Sequence, residues 1–311
     1  MGYFSKRERG RRAWRTLWTG CAERVGKVGR CGEKNAHSGK GEEEEEGSGR
    51  EIHRAIDNVE KEGGCFRQTV EKGGAVCYNE NMQEKTPDFA GLAREMARNG
   101  EQFEKFYAML TENNAAFNLT AITEREEVIH KHFLDSLAGA AYLPAGGRIA
   151  EVGSGAGFPS VPLAIVRRDV SFTLIESTGK KCAFLRKVSE ALGLNLTVVQ
   201  MRAEEAGRDA AYRGQFDAVI ARAVAPLVPL CEYCLPLVKQ GGRLIAWKGS
   251  EDETPGAVHA VKVLGGGNLR TVAYELPNGY GARRLVLADK VSHTPEKYPR
   301  GHGKERKDPI V

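Results

Sequence analysis

The chain has 311 residues, 41% hydrophobic and 28% charged, enough for one or two soluble globular units. No apolar run of about 18 residues is present, and no apolar stretch follows the basic start, so neither a membrane span nor an export signal is expected. A net charge of +5 is too mild to establish a nucleic-acid partner by itself.

Residues 1–81 carry 16 Lys and Arg, 14 Asp and Glu, and 14 of the 37 glycines, including the acidic block Glu42 to Glu46. No helical or strand period persists there, so a disordered low-complexity extension is expected. Three readings stay open: an RNA-binding arm, an Arg-rich transit peptide, or a start codon assigned upstream of the natural one near Met82. The seven cysteines are Cys21, Cys31, Cys65, Cys77, Cys182, Cys231 and Cys234. Their odd number and irregular spacing do not form a disulfide framework, and a reducing cytoplasm fits them.

From residue 82 to 145 the pattern is that of a helical cap. Residues 88–97, 101–117 and 124–143 place apolar side chains three and four apart, which predicts three amphipathic helices. Pro144 and Gly146-Gly147 close the segment.

Over residues 146–289 short apolar runs alternate with helical stretches. The strands are 148–152, 171–176, 196–200, 216–221 and 242–248, followed by 268–276 and 282–289 around the turn Pro277-Asn278-Gly279. Alternation predicts an α/β sheet of seven strands, mostly parallel, ending in an antiparallel hairpin. That ending is the class I, Rossmann-like methyltransferase arrangement; nicotinamide-binding domains usually lack it. Cys231 and Cys234 fall three apart in the apolar helix APLVPLCEYCLPLVKQ and read as core thiols, and no metal site is expected.

The sharpest local feature is Glu151-Val152-Gly153-Ser154-Gly155-Ala156-Gly157-Phe158-Pro159, directly after the first strand. The glycines allow a tight turn and close approach of a ligand, and Pro159 suits the first turn of the next helix. The last position of a dinucleotide fingerprint is Phe158, not glycine. An acid followed by GxGxG suits S-adenosylmethionine, which has no phosphate to bind. Glu176 ends the second strand, where it can accept from ribose hydroxyls; a solvated strand-end carboxylate is the plainer reading. Ala203-Glu204 follow the third strand, placed to border an adenine or simply to begin a surface helix.

The fourth strand ends in Ala221-Arg222-Ala223-Val224-Ala225-Pro226. No Asn/Asp-Pro-Pro-aromatic motif and no Pro-Cys nucleophile stands here, which disfavours exocyclic-amine and cytosine C5 chemistry. An acceptor atom needing no base remains, such as guanine N7, with catalysis by positioning after extrusion of the base. Arg222 reads as a cofactor contact or as the ion-pair partner of an acid such as Glu151. Lys248, at the end of the fifth strand, reads as a positioning group or phosphate contact, or as a snorkelling surface lysine. His130 and His132 do not share a helix face, whereas His132 and Asp135 do, and the latter pair reads as packing between cap and site. Residues 290–311 form a basic tail in which Tyr298 could stack on a base.

FNLTAIT (117–123), KHFLDSL (131–137), EVGSGAGFPSVPLAI (151–165), ARAVAPL (221–227), LPLVKQGG (235–242) and TPEKYPR (294–300) together resemble the RsmG (GidB) family from about Phe89 to the C-terminus. The resemblance implies methylation of N7 of a guanine, position 527, in the 530 loop of 16S rRNA within the small ribosomal subunit, by a cytoplasmic monomer using S-adenosylmethionine. It places cofactor contacts on Gly153, Phe158, Ala203, Glu204 and Arg222. Glu151, Gly155, Gly157 and Glu176 join them from the residue reading, and Lys297, Tyr298, Arg300 and Lys307 are the expected RNA contacts. Glu151 stands where the family has Asp and Ser160 where it often has Gly. Gly301 and Glu305 depart from its usual tail. Two rival classes remain, a nicotinamide oxidoreductase and a non-catalytic RNA-binding protein on the same fold.

Overall fold

The computed structural model describes residues 86–311. The expectations for residues 1–81, including four of the seven cysteines, lie outside the described residues.

The cap begins with α1 (Phe89–Arg98), whose first turn is capped by the Asp88 carboxylate accepting from Gly91 N–H at 3.0 Å. α2 (Gly100–Phe117) ends at Asn118 in the left-handed region, φ 48°. Asn114 then ties down the exit by accepting from the backbone N–H groups of Leu119 and Thr120, both at 2.9 Å. The third element, α3 (residues 125–137), departs from the expected regular helix. It starts as α-helix over Arg125–Glu127, widens to a π-helix over Val128–Leu134 and closes as α-helix over Asp135–Leu137. The Asp135 N–H reaches back five residues to the His130 carbonyl. Periodicity cannot distinguish these windings, because apolar positions three to five apart suit either; the extra residue is absorbed where His132 and Asp135 meet the sheet.

The sheet comprises β1 (Arg148–Val152), β2 (Ser171–Glu176), β3 (Leu196–Gln200), β4 (Phe216–Arg222), β5 (Val238–Lys248), β6 (Gly266–Leu276) and β7 (Gly281–Lys290). Its order is β3-β2-β1-β4-β5-β7-β6, with β7 antiparallel to both neighbours and the remaining pairs parallel. Strand order reverses between β1 and β4, which opens a crevice at the carboxyl ends of those strands. Crossovers are made by α4 (Ser160–Val166), α5 (Gly179–Leu192), the short α6 (Ala203–Ala206), α7 (Leu227–Cys234) and α8 (Thr254–Val263).

Side chains alternate between two cores. Ile149, Leu174, Ile220, Ile245 and Leu285 face the cap and pack with Phe103, Phe106 and Phe133. Ala150, Val152, Val219 and Ala221 face α7 and α8, where Leu230, Cys231 and Cys234 are fully buried. Burial pushes the Cys231 thiol up to about 12 and raises Cys234 as well. Both thiols are inert core groups, as their spacing on one helix face predicts. No helix among the described residues is long and apolar enough to cross a membrane, and no cluster of metal-binding side chains occurs among them.

The tail is folded onto the domain rather than free. Arg213 donates to the carbonyls of Tyr298 and Thr294, each at 2.8 Å, and Arg208 to that of Pro299 at 2.8 Å. The chain closes with a single turn, α9 (Lys304–Lys307).

Candidate active site

The site is built first from backbone. Gly153 takes φ +69° and donates to the Ile175 carbonyl at 2.8 Å, so the chain turns sharply off β1 while still tied to β2. A Cβ at Gly153 would lie 2.7 Å from a Val224 methyl, and one at Gly157 (φ +93°) would lie 2.6 Å from a Val161 methyl. Only glycine fits either position. Gly155 (φ +54°) aims its N–H at Glu176.

Glu176 is 6% exposed, so it is not a solvated strand-end carboxylate. One oxygen accepts from Gly155 N–H at 3.0 Å and the other from Thr178 N–H at 2.8 Å. Each carboxyl oxygen keeps a second lone pair, the hydrogen-bond-accepting capacity a ribose diol needs. Ala203 and Glu204, half-buried, open α6 beyond the end of β3.

Glu151 lies beneath the turn and is fully buried. Neither carboxyl oxygen meets a hydrogen-bond partner of good geometry, and the Ser160 hydroxyl beside it is also unsatisfied. Burial pushes its carboxyl up to about 8, against the weaker opposing pull of Ser160, Arg222 and Ser154, so it is mostly protonated at neutral pH.

Arg222 shares the cap face of the sheet with Glu151, but its ion pair is with Asp135, Nη1 to Oδ2 at 3.0 Å. The sequence reading named Glu151 for that role. The winding of α3 brings the cap acid closer than the strand acid. The guanidinium also lies 5.0 Å over the Phe158 ring. Phe158 is 6% exposed, stacked on His132 at 4.5 Å and set against Phe106 and Phe133. His132 is held far below the usual imidazole range, at about 3, by burial and by the Arg222 charge, so it is neutral.

Beyond β4 the loop 223–226 is pinned from several sides. Ala223 takes φ +56°, a conformation costing a non-glycine residue about 1–2 kcal/mol. Arg306 of α9 donates to the Val224 carbonyl at 2.9 Å. Lys248 donates to the Ala225 carbonyl at 3.0 Å and pairs with Glu253 at 2.7 Å. Lys248 is therefore not a snorkelling surface lysine; two of its three ammonium donors are engaged by Ala225 and Glu253.

Two expected RNA contacts are turned inward. Tyr298 is buried, so its ring offers no open face for stacking. Arg300 is engaged by the fully buried Glu232, Nη2 to Oε2 at 2.9 Å, and by Asp308. Lys297 and Lys307 are exposed. Glu305, one of the two departures from the resembling family's tail, is buried and accepts from Gly301 N–H, closing the turn that Gly301 (φ +74°) makes.

Sequence reasoning missed Thr120, Trp247 and Tyr274. Trp247 Nε1 donates to the Asp135 carbonyl and Tyr274 Oη to its Oδ1, both at 2.7 Å. Thr120 meets His132 Nε2 at 2.8 Å. Strand alternation was the available signal: Arg222 and Trp247 are register partners on one face.

A sheet of this order with only β7 reversed, a glycine turn after β1 and a buried acid closing β2 define a class I methyltransferase. The comparisons narrow the class. Residues 99–272 match the model of the GidB family, described as rRNA small subunit methyltransferase G. The ribosomal RNA small subunit methyltransferase G of Staphylococcus saprophyticus is 47% identical over 68% of this chain and 90% of its own length. That of Brevibacillus brevis is 43% identical over 69% and 92%. Among solved structures, an S-adenosylmethionine-dependent O-methyltransferase from Thermotoga maritima aligns at 17% identity over 60% of this chain and 73% of its own, with a TM-score of 0.42. The chain belongs to the GidB family of S-adenosylmethionine-dependent methyltransferases.

Proposed function

We propose that this chain methylates N7 of guanine 527 in the 530 loop of 16S rRNA. The observation that carries the atom assignment is the loop 223–226: Ala-Val-Ala-Pro offers no carboxylate, amide or thiol to the reacting base. Guanine N7 presents an in-plane lone pair and needs no proton removed, so a site that only positions is sufficient for it.

The glycine turn leaves room for S-adenosylmethionine, and Glu176 has the lone pairs for its ribose hydroxyls. Ala203 and Glu204 border the adenine end, and Gly153, Gly155, Gly157, Phe158 and Arg222 shape the remainder of the pocket. When bound, the cofactor supplies an electrophilic methyl carbon on a sulfonium leaving group. Arg222 is held on the cap side and the strained Ala223 loop on the other, which fixes the wall against which an extruded base would rest. Arg222 and Lys248 act by position: Lys248 shapes the loop, and Arg222 shapes the pocket edge. The exposed Lys297 and Lys307 contact RNA phosphate. The substrate implies a cytoplasmic protein, and we read the chain as acting as a monomer.

Borohydride and aniline cleave RNA at N7-methylguanine, and primer extension reads the position. A stop in the 530 loop that disappears on gene deletion, returns with the parent chain and does not return with Gly153→Asp is the expected result. A stop unchanged by deletion would overturn the substrate assignment.

A further inference from the structure

Three separated segments meet at one guanidinium. Arg222, from the end of β4, gives Nη1 to Asp135 Oδ2 at 3.0 Å and to the Lys131 carbonyl at 3.2 Å, and Nη2 to His132 Nδ1 at 3.2 Å. These contacts occupy three of its five N–H donors. One guanidinium face covers Phe158, and His132 stacks on the same ring. His132 Nδ1 lies between the Arg222 guanidinium at 3.2 Å and the Lys131 carbonyl at 3.1 Å, and Nε2 lies 2.8 Å from Thr120 Oγ1; the tautomer that accepts from Arg222 carries its ring proton on Nε2, toward Thr120. Thr120 is itself fixed by the Ile122 N–H at 3.0 Å. Asp135 accepts from Arg222 on Oδ2, from Tyr274 on Oδ1 and, through its backbone carbonyl, from Trp247.

We propose that Thr120, His132 and Asp135 are positioning residues that hold Arg222 and the Phe158 ring in register with the glycine turn, so that the helical cap sets the geometry of the cofactor pocket. A buried ion pair generally returns in Coulomb energy about what it costs in desolvation, so packing alone is better served by apolar side chains. What this arrangement provides is one orientation for a residue otherwise free to rotate at a strand end. The Thr120 and His132–Asp135 positions lie in FNLTAIT and KHFLDSL, and the latter also supplies the Lys131 carbonyl to Arg222 and the Phe133 ring to Phe158.

The inference rests on the reading that Arg222 and the glycine turn border the cofactor, and the test separates the two. S-adenosylhomocysteine binding is measured by calorimetry, alongside thermal melts, for Asp135→Asn and Thr120→Val, each made in the parent and in Arg222→Met. The expected result is about tenfold weaker binding for Asp135→Asn and about threefold for Thr120→Val, with both losses vanishing in the Arg222→Met background. Thr120→Val is near-isosteric and serves if Asp135→Asn does not fold. Losses that persist undiminished in Arg222→Met, or melts that fall while affinity stays at the parent value, would overturn the relay. Gly153→Asp is the control for the underlying reading: if it still binds, the pocket itself is misplaced; if it alone loses binding, only the relay is wrong.

Discussion

The two walls of the pocket are made in opposite ways. The wall after β1 is backbone: three glycines at positive φ, held by Glu176, in nine consecutive residues. The wall after β4 is side chain: Arg222, fixed by groups from residues 120, 132, 135 and, through Asp135, 247 and 274. A backbone wall fails all at once when a side chain intrudes. A side-chain wall loosens by degrees, because each member carries part of the constraint.

The sharpest break of that contrast is Gly153→Asp. Its Cβ would fall 2.7 Å from Val224 in a backbone region that L-residues rarely adopt. Calorimetry should find no binding of S-adenosylhomocysteine, while the far-ultraviolet dichroism stays that of the parent. Retained affinity would mean the turn can be rebuilt and is not the rigid half.

On the other wall, Phe133→Ala should act on stability first. Phe133 is fully buried and touches Phe103, Phe106 and Phe158. Truncation should cost about 3–5 kcal/mol in urea unfolding. The cap's hold on Phe158 should weaken with it, so affinity falls several-fold in the fraction that remains folded. A loss under 1 kcal/mol would show that the cap is not packed as a unit with the pocket.

Two buried groups make the contrast pH-dependent, with opposite signs. Glu151 is raised to about 8 from 4.5, so its stabilising contribution is complete below pH 4.5 and is lost as pH rises toward 8. His132 is lowered to about 3 from 6.5, so its contribution is complete above pH 6.5 and is lost as pH falls toward 3. Glu151→Gln should therefore stabilise at pH 8 relative to pH 4.5, by at most about 1.4 kcal/mol per pH unit across that window. His132→Gln should flatten the acid limb between pH 6.5 and 3 and leave the alkaline limb unchanged. Unfolding curves across pH check both; an unchanged alkaline limb in Glu151→Gln would mean the buried carboxyl is not titrating there.

The same contrast explains what the sequence made legible. The backbone wall is local, so GSGAGFP and the strand-end Glu176 could be found by spacing. β1, β2 and β3 fell on their expected residues because each is a short apolar run bounded by turn formers. β5 begins earlier than expected, at Val238: residues 238–240 read as the end of the apolar helix 225–240, which stops at Cys234, and the strand runs on through Gly241-Gly242 beside an irregularity at Phe216–Ala218. The side-chain wall is non-local and was legible only in part: the spacing marks His132 and Asp135 as packing between cap and site, but not as partners of Arg222. Nothing in the spacing of KHFLDSL announces a π-helix, and the partners of Arg222 lie some 90 residues away in sequence. The tail misled for a related reason: its charge pattern resembles a free basic arm, but Glu232 is buried against it and its own Glu305 is turned inward, and no pattern within residues 290–311 reveals the former.

That correction leads to the smallest expected effect. With Tyr298 buried and Arg300 paired to Glu232, the tail's remaining exposed cations include Lys297 and Lys307. If these are phosphate contacts, Lys297→Ala and Lys307→Ala should each weaken binding of a 530-loop RNA several-fold. Each should also reduce the slope of log affinity against log salt by about 1. Cofactor affinity and the melting curve should stay at the parent values, because neither side chain touches a wall of the pocket. Arg300→Ala should behave differently. It removes the charge paired with the buried Glu232, leaving that carboxylate only the backbone N–H at position 300, and loosens the tail, so it should lower the melting temperature and expose residues 294–311 to limited proteolysis. If the lysine variants instead disturb the melt, or Arg300→Ala changes only the salt slope, the division of the tail into an anchored half and an RNA-facing half is wrong.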